Sequence, residues 1–181
     1  AEKRVTAPLF PSEPGLALCS LRSPTLPPAT HTNCWVLGRE NVTLVDPGSP
    51  WNEEIETLLL SIEGRTVERI FLTHHHHDHV SGARKLQKKT GAPIASHRET
   101  AQRVPFPVQE IWSDQEALKA GVRTWTPIHT PGHAAGHLCL YDPSDGTVIA
   151  GDMVAGEGTI LLVPGDGDFG DYIAQLNRLM Q

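Results

Sequence analysis

Apolar positions along the chain follow two periods, and together they predict a mixed architecture. Alternating or continuous apolar runs predict strands at Leu16–Leu21, Thr32–Leu37, Asn41–Val45, Arg69–Thr73, Ala92–Ser96, Val122–Ile128, Leu138–Tyr141 and Thr147–Ala150. Helical spacing occurs at Trp51–Ile62, where positions 51, 55, 58, 59 and 62 are apolar and Gly64 provides a stop. Val80–Thr90 reads as a helix ended by Gly91, and Asp171–Gln181 carries Tyr172, Ile173, Leu176 and Leu179 to one side. Residues 98 to 121 are faint, with only a helical turn at Glu99–Val104 before Pro105-Phe-Pro107 breaks it. Residues 1 to 15 hold three prolines and read as a lead-in to one domain over 16–181. Strand, helix, strand, helix, strand is an α/β order.

The predicted strand at Arg69–Thr73 runs directly into His74-His75-His76-His77-Asp78-His79. Five imidazoles and a carboxylate within six residues are poor material for a core. Two bland explanations compete, a purification-tag scar and a solvated polar loop. The run is internal, flanked by a strand and a helix, and followed by an acid and a further histidine, so a metal site explains it better. Neutral imidazole nitrogen and carboxylate oxygen are the ligands that zinc accepts.

Composition narrows the classes without choosing one. A chain of 181 residues with 39% hydrophobic and 20% charged content is long enough for one domain with a sizeable core. Its formal net charge of −6 argues against a broad basic face for duplex nucleic acid. Cys19, Cys34 and Cys139 are odd in number and widely spaced, so a disulfide framework is not expected and a reducing, cytoplasmic setting is. No stretch reaches transmembrane length, so no membrane partner is expected.

Further candidate ligands fall at other strand ends. Asp46-Pro47-Gly48, His129-Thr-Pro-Gly-His133 and Gly151-Asp152 each follow a predicted strand, where loops on a rigid frame carry function. Taken singly, His133 reads as a surface histidine and Asp152 as a routine strand-end acid. Alongside the histidine turn they complete a site.

Thr73-His-x-His-x-Asp-His79 resembles the signature of the metallo-β-lactamase superfamily, and the three other motifs resemble its remaining ones in order and rough spacing. The resemblance runs from about Thr32 onward. It implies an αββα four-layer sandwich, here apparently lacking its C-terminal strand and helix, and a hydrolase with two zinc ions (manganese or iron as alternatives). It implies that His74, His76 and His133 hold the first ion, that Asp78 and His79 bind the second, and that Asp152 bridges them. Asp46 would stand behind the ligands and orient them, and Asp78 would also act catalytically by orienting the attacking water. His75 and His77 alternate with the ligands and would point away. The superfamily usually supplies another histidine to the second ion after a further strand, yet none follows His137. A missing tail is the favoured explanation, a depleted second site the other.

Within the superfamily the expected substrate class is ordered. Gly151–Thr159 and Asp171–Leu176 look closest to the β-lactamase-like protein 2 group, which implies a phosphodiester substrate in single-stranded RNA and, in some relatives, a preceding partner domain. The acidic balance offers no RNA track. Thr73-His-His-His-x-Asp-His79 also matches the glyoxalase II-like group, which implies a small-molecule thioester, with sulfur dioxygenases more distant. That group's glutathione-binding residues are not found near the end of the chain. A metal-binding domain without turnover is the third reading, and a true β-lactamase the last. The sequence leaves oligomeric state open.

Overall fold

The computed structural model describes residues 15–114, 116–120 and 123–181. Almost all of the lead-in predicted at 1–15 therefore lies outside the described residues, as does Val122 at the start of a predicted strand. Among the described residues, ten strands form two sheets. The first contains β1 (Leu16–Arg22), β2 (His31–Gly38), β3 (Asn41–Val45), β4 (Thr66–Leu72), β5 (Ile94–Ser96) and β6 (Glu110–Ile111), in that spatial order. β1, β2 and β3 pair antiparallel, whereas β3 to β6 run parallel. The second sheet orders β10 (Thr147–Ile149), β9 (Leu138–Asp142), β8 (Arg123–His129) and β7 (Leu118–Ala120), all antiparallel.

Strand alternation divides the apolar residues between two cores. Cys34 and Val36 on β2, Val42 and Leu44 on β3, and Ile70 and Leu72 on β4 face an outer core. That core is closed by Ile55 and Leu58 of α1 (Asn52–Ser61) and by Ala83 and Leu86 of α3 (Ala83–Thr90), which follows the short α2 (His77–Val80). Leu37, Val45, Phe71 and Ala95 face the other way, onto Leu118, Trp125, Leu138, Leu140 and Ile149 of the second sheet. The parallel strands are thus buried on both faces and read as continuous apolar runs. Phe71 and Trp125 are fully buried between the sheets, and truncating either to Ala costs about 3–5 kcal/mol. α4 (Arg98–Arg103) follows β5. α5 (Phe169–Leu179) has no buried residue and lies by the end of β8, where its Arg178 donates to the His129 carbonyl at 3.0 Å.

The structure corrects four local expectations. The helix predicted over 80–90 is two pieces, α2 and α3, divided at Ser81–Gly82. Gly82 donates to the Pro47 carbonyl at 2.8 Å, and a Cβ there would come within 2.4 Å of that oxygen, so the chain must turn where it docks. β6 and β7 are real strands inside the faint segment, each too short for a periodic signal. β4 starts at Thr66 rather than Arg69, because it pairs with β3 from Asn41 onward. α5 starts at Phe169, where Asp168 accepts from the Asp171 N–H at 2.9 Å as its cap.

Candidate metal centre

The predicted motifs meet at one edge of the sandwich. Asp46 follows β3, His74 and His76 follow β4, His133 follows β8, and Asp152 sits in a 3-10 turn (Gly151–Met153) after β10. Asp46 has φ +52°, a left-handed backbone that non-glycine residues seldom adopt, and this aims its carboxylate at the β4 end. There it accepts from the Thr73 N–H at 2.8 Å, the Thr73 hydroxyl at 2.5 Å and His79 Nδ1 at 2.9 Å. Gly48 packs against the Asp78 carbonyl so closely that a Cβ would lie 1.6 Å from it. The Asp46-Pro-Gly48 turn therefore presses directly on the turn that carries Asp78 and His79.

Each imidazole in the cluster gives one nitrogen to a protein acceptor. His74 Nδ1 lies 2.9 Å from Thr73 Oγ1, whose own proton goes to Asp46. His79 Nδ1 faces Asp46, His133 Nδ1 faces the Leu161 carbonyl at 3.0 Å, and His76 Nε2 faces Asp166 Oδ2 at 2.8 Å. Hydrogen-bond logic assigns the proton in each case to the nitrogen facing the acceptor. In their neutral forms His74, His76 and His133 then turn the lone pairs of their opposite nitrogens towards one point: His133 Nε2 is 3.3 Å from His74 Nε2 and 2.8 Å from His76 Nδ1. Lone pairs held that close repel unless a proton or a metal cation lies among them.

Asp152 stands between two groups. Its Oδ2 lies 3.3 Å from His133 Nε2 and 3.9 Å from His74 Nε2, while Oδ1 lies 3.1 Å from His79 Nε2. Asp78 Oδ2 is 3.9 Å from the same His79 nitrogen. Donor atoms of His74, His76, His133 and Asp152 all fall within 4.8 Å of one another, which fits a single cation with nitrogen and oxygen ligands.

Burial and neighbours tune these groups in different directions. Burial lowers the pKa of His74 well below its ordinary value, with the surrounding imidazoles adding to the effect, and lowers that of His133 as well. His79 is raised: burial opposes its charge, but the Asp46 and Asp152 carboxylates outweigh it. Burial works against the Asp152 charge too, yet hydrogen bonding and attraction from His79 hold that carboxyl well below the usual range.

All seven residues singled out in the sequence come together here. His75 and His77 turn aside as expected: His75 Nε2 is 3.2 Å from Asp166 Oδ2, and the exposed His77 bonds Ser81. His137, the last histidine, does not face the cluster. Its Nε2 accepts from the Asp152 N–H at 3.1 Å, its Nδ1 meets Thr130 Oγ1 at 2.8 Å, and burial lowers its pKa to about 3. Sequence reasoning missed Thr73, Leu161 and Asp166 as partners of the imidazoles. Thr73 was visible as part of the motif, but Leu161 acts through its backbone and Asp166 sits in a Gly-rich turn with no periodic signal.

A profile of the metallo-beta-lactamase superfamily matches residues 27–181, and the chain belongs to that superfamily. The hydroxyacylglutathione hydrolase of Maricaulis maris is 34% identical over 91 residues, covering 50% of this chain. The chain spans 35% of the length of that relative. A beta-lactamase domain protein from Burkholderia ambifaria superposes with a TM-score of 0.81 at 22% identity, over 96% of this chain and 65% of its own. The protein TTHA1623, crystallised in a di-iron-bound form, gives 0.71 at 26% identity, over 86% of this chain and 84% of its own. The fold is the metallo-β-lactamase fold. Among the described residues, no helix is long and apolar enough to cross a membrane.

Proposed function

We propose that the cluster is a binuclear metal centre and that it hydrolyses acyl thioesters of the hydroxyacylglutathione kind. One observation carries the reading of the centre: Asp152 turns one carboxylate oxygen to the His74–His133 side and the other to His79. His74 Nε2, His76 Nδ1 and His133 Nε2 would hold the first ion, Asp78 and His79 Nε2 the second, with Asp152 shared. Donors limited to nitrogen and oxygen suit zinc, with iron or manganese as alternatives, and a superfamily relative is known with two irons. Zinc held there supplies Lewis acidity and lowers the pKa of a bound water to about 7.

The chain's own residues do the positioning. Asp46 holds the His79 ring so that Nε2 faces Asp152, and Thr73 does the same for His74. Asp78, beside His79 Nε2 and only partly exposed, orients the attacking water and takes up its proton. The attack adds oxygen to the thioester carbonyl, the carbon–sulfur bond breaks, and the thiolate leaves.

The choice of a thioester rests on the relatives. The names of the curated relatives favour it over the RNA phosphodiester that the sequence motifs placed first. The test is hydrolysis of S-lactoylglutathione and of unstructured RNA by the zinc-loaded chain and by Asp78→Ala. Thioester turnover that falls at least about 100-fold in the variant supports the reading. RNA cleavage with no thioester turnover replaces the substrate class, and activity indifferent to Asp78 removes its assigned role.

A further inference from the structure

Residues 154–168 join the Asp152 turn to α5 and cross the front of the cluster. None of the segment's apolar side chains is fully buried: Val154, Leu161 and Val163 are 61%, 51% and 43% exposed, and Ile160 and Leu162 are half-buried. The residues that flank it are tied by the Tyr172 hydroxyl, which donates to the Met153 carbonyl at 2.8 Å. Within it, Val163 O accepts from the Asp166 and Gly167 N–H groups, and Asp168 N donates to Gly132 O at 2.8 Å. Its remaining polar contacts with the site go to two histidines from different sheets. Leu161 O faces His133 Nδ1 at 3.0 Å, and Asp166 Oδ2 faces His76 Nε2 at 2.8 Å. Asp166 is itself backed by His75 Nε2 at 3.2 Å and by Arg103 Nε of α4 at 3.8 Å.

We propose that Asp166 and the Leu161 carbonyl are positioning groups for the first metal ion, and that metal loading and the ordering of segment 154–168 are coupled. The inference rests on the binuclear reading above. The two acceptors bind opposite nitrogens on their two rings, so His76 must present Nδ1 inward and His133 must present Nε2. A ring that binds a cation through one nitrogen becomes a stronger donor at the other, so the ion tightens both contacts to the segment. Linkage makes the effect reciprocal: a segment held in place raises metal affinity by the same factor. With no fully buried apolar side chain, the segment belongs among the parts of the fold that open most easily. Its hold on the two ligand rings is then a large share of what orders it. Arg103 neutralises Asp166 from behind, and His75, set aside in the sequence as a spare, becomes a brace.

The experiment uses the chain as it stands, with zinc affinity measured by competition against a chromophoric chelator. Amide exchange is followed in parallel, with and without zinc, for wild type, Asp166→Asn and Asp166→Ala. Asp166→Ala is expected to weaken the tighter zinc by about 10- to 100-fold, and Asp166→Asn, which keeps an acceptor for His76 Nε2, by less. Amides of 154–168 should exchange several-fold faster without zinc in wild type and remain fast in Asp166→Ala, with the sheet amides unchanged. The inference is overturned if Asp166→Ala binds within twofold of wild type, or if exchange of 154–168 ignores zinc. It is also overturned if Asp166→Ala loses one whole equivalent while the rest bind as before, because Asp166 would then be a ligand in its own right with His75 and His76. A wild-type chain that binds no zinc overturns the binuclear reading as well, which separates the two failures.

Discussion

β8 begins and ends in a buried polar cluster, and the two clusters are built on opposite logic. At its start, Arg123 Nε donates to Asp142 Oδ2 and Nη2 to Asp145 Oδ2, each at 2.6 Å. The spare oxygens are occupied too: Asp142 Oδ1 accepts from Ser144 N and Oγ, and Asp145 Oδ1 from Thr147 N. Burial opposes the charge on Arg123, but the two carboxylates outweigh it and raise its pKa. Arg123 Nε and Nη2 thus each meet a carboxylate of opposite sign. At the other end of the strand the acceptors are satisfied only on the outward nitrogens. The inward nitrogens of His74, His76 and His133 face one another rather than an acceptor of opposite sign. A closed cluster stabilises the fold, while an open one is a site. The test for telling them apart is an account of protons and lone pairs.

The largest effect expected from this contrast is on the open cluster. His74→Ala should abolish retention of the first ion and lower hydrolysis by at least about 100-fold, read by elemental analysis and initial rates. A variant keeping half its metal and rate would mean that the converging lone pairs are not a metal site. Next is the closed cluster. Asp142→Ala takes one of two carboxylates from Arg123, whose side chain is 8% exposed, and leaves Asp145; it should cost about 1–3 kcal/mol in urea unfolding, with zinc affinity within about twofold of wild type. A small loss, or a fall in metal affinity, would show that the two ends of β8 are not separate in function.

The smallest effect is the pH dependence of the metal-free chain. His137 has a folded pKa of about 3 against an unfolded value near 6.5. A histidine kept neutral in this way stabilises fully above about pH 6.5 and loses that contribution as pH falls towards 3. The first unit of acidification costs about 1 kcal/mol for this one group. His74 and His133, also lowered, act in the same direction. His79, raised, acts in the opposite one, its contribution being lost only as pH rises through its folded value. Unfolding in chelator should therefore become easier from pH 6.5 to 5.5, and stability that rises over that interval would mean His79 dominates.

Much of the site was legible before any coordinates, and the reason is local. His74, His76, Asp78 and His79 lie within one turn, so their spacing alone brings them together. Asp46, His133 and Asp152 were legible because each follows an apolar run, and strands of one sandwich deliver their ends to a common edge. What could not be read came from contacts with no local pattern. Asp166 reaches His76 across 90 positions of chain, and Leu161 contributes only a carbonyl. Gly82 divides a helix that its own residues would have continued, because Pro47 lies against it.

By itself, then, the sequence determined the α/β layering, the two faces of each central strand, and the identity of the residues that converge. Those follow from periodicity and from chemistry carried on short segments. The tertiary structure alone decided which nitrogen of each imidazole points inward and how Asp152 divides its oxygens. It also decided that His137 serves a backbone N–H rather than the cluster. Those choices depend on which acceptor lies behind each ring, and the acceptors come from other strands and from the 154–168 segment.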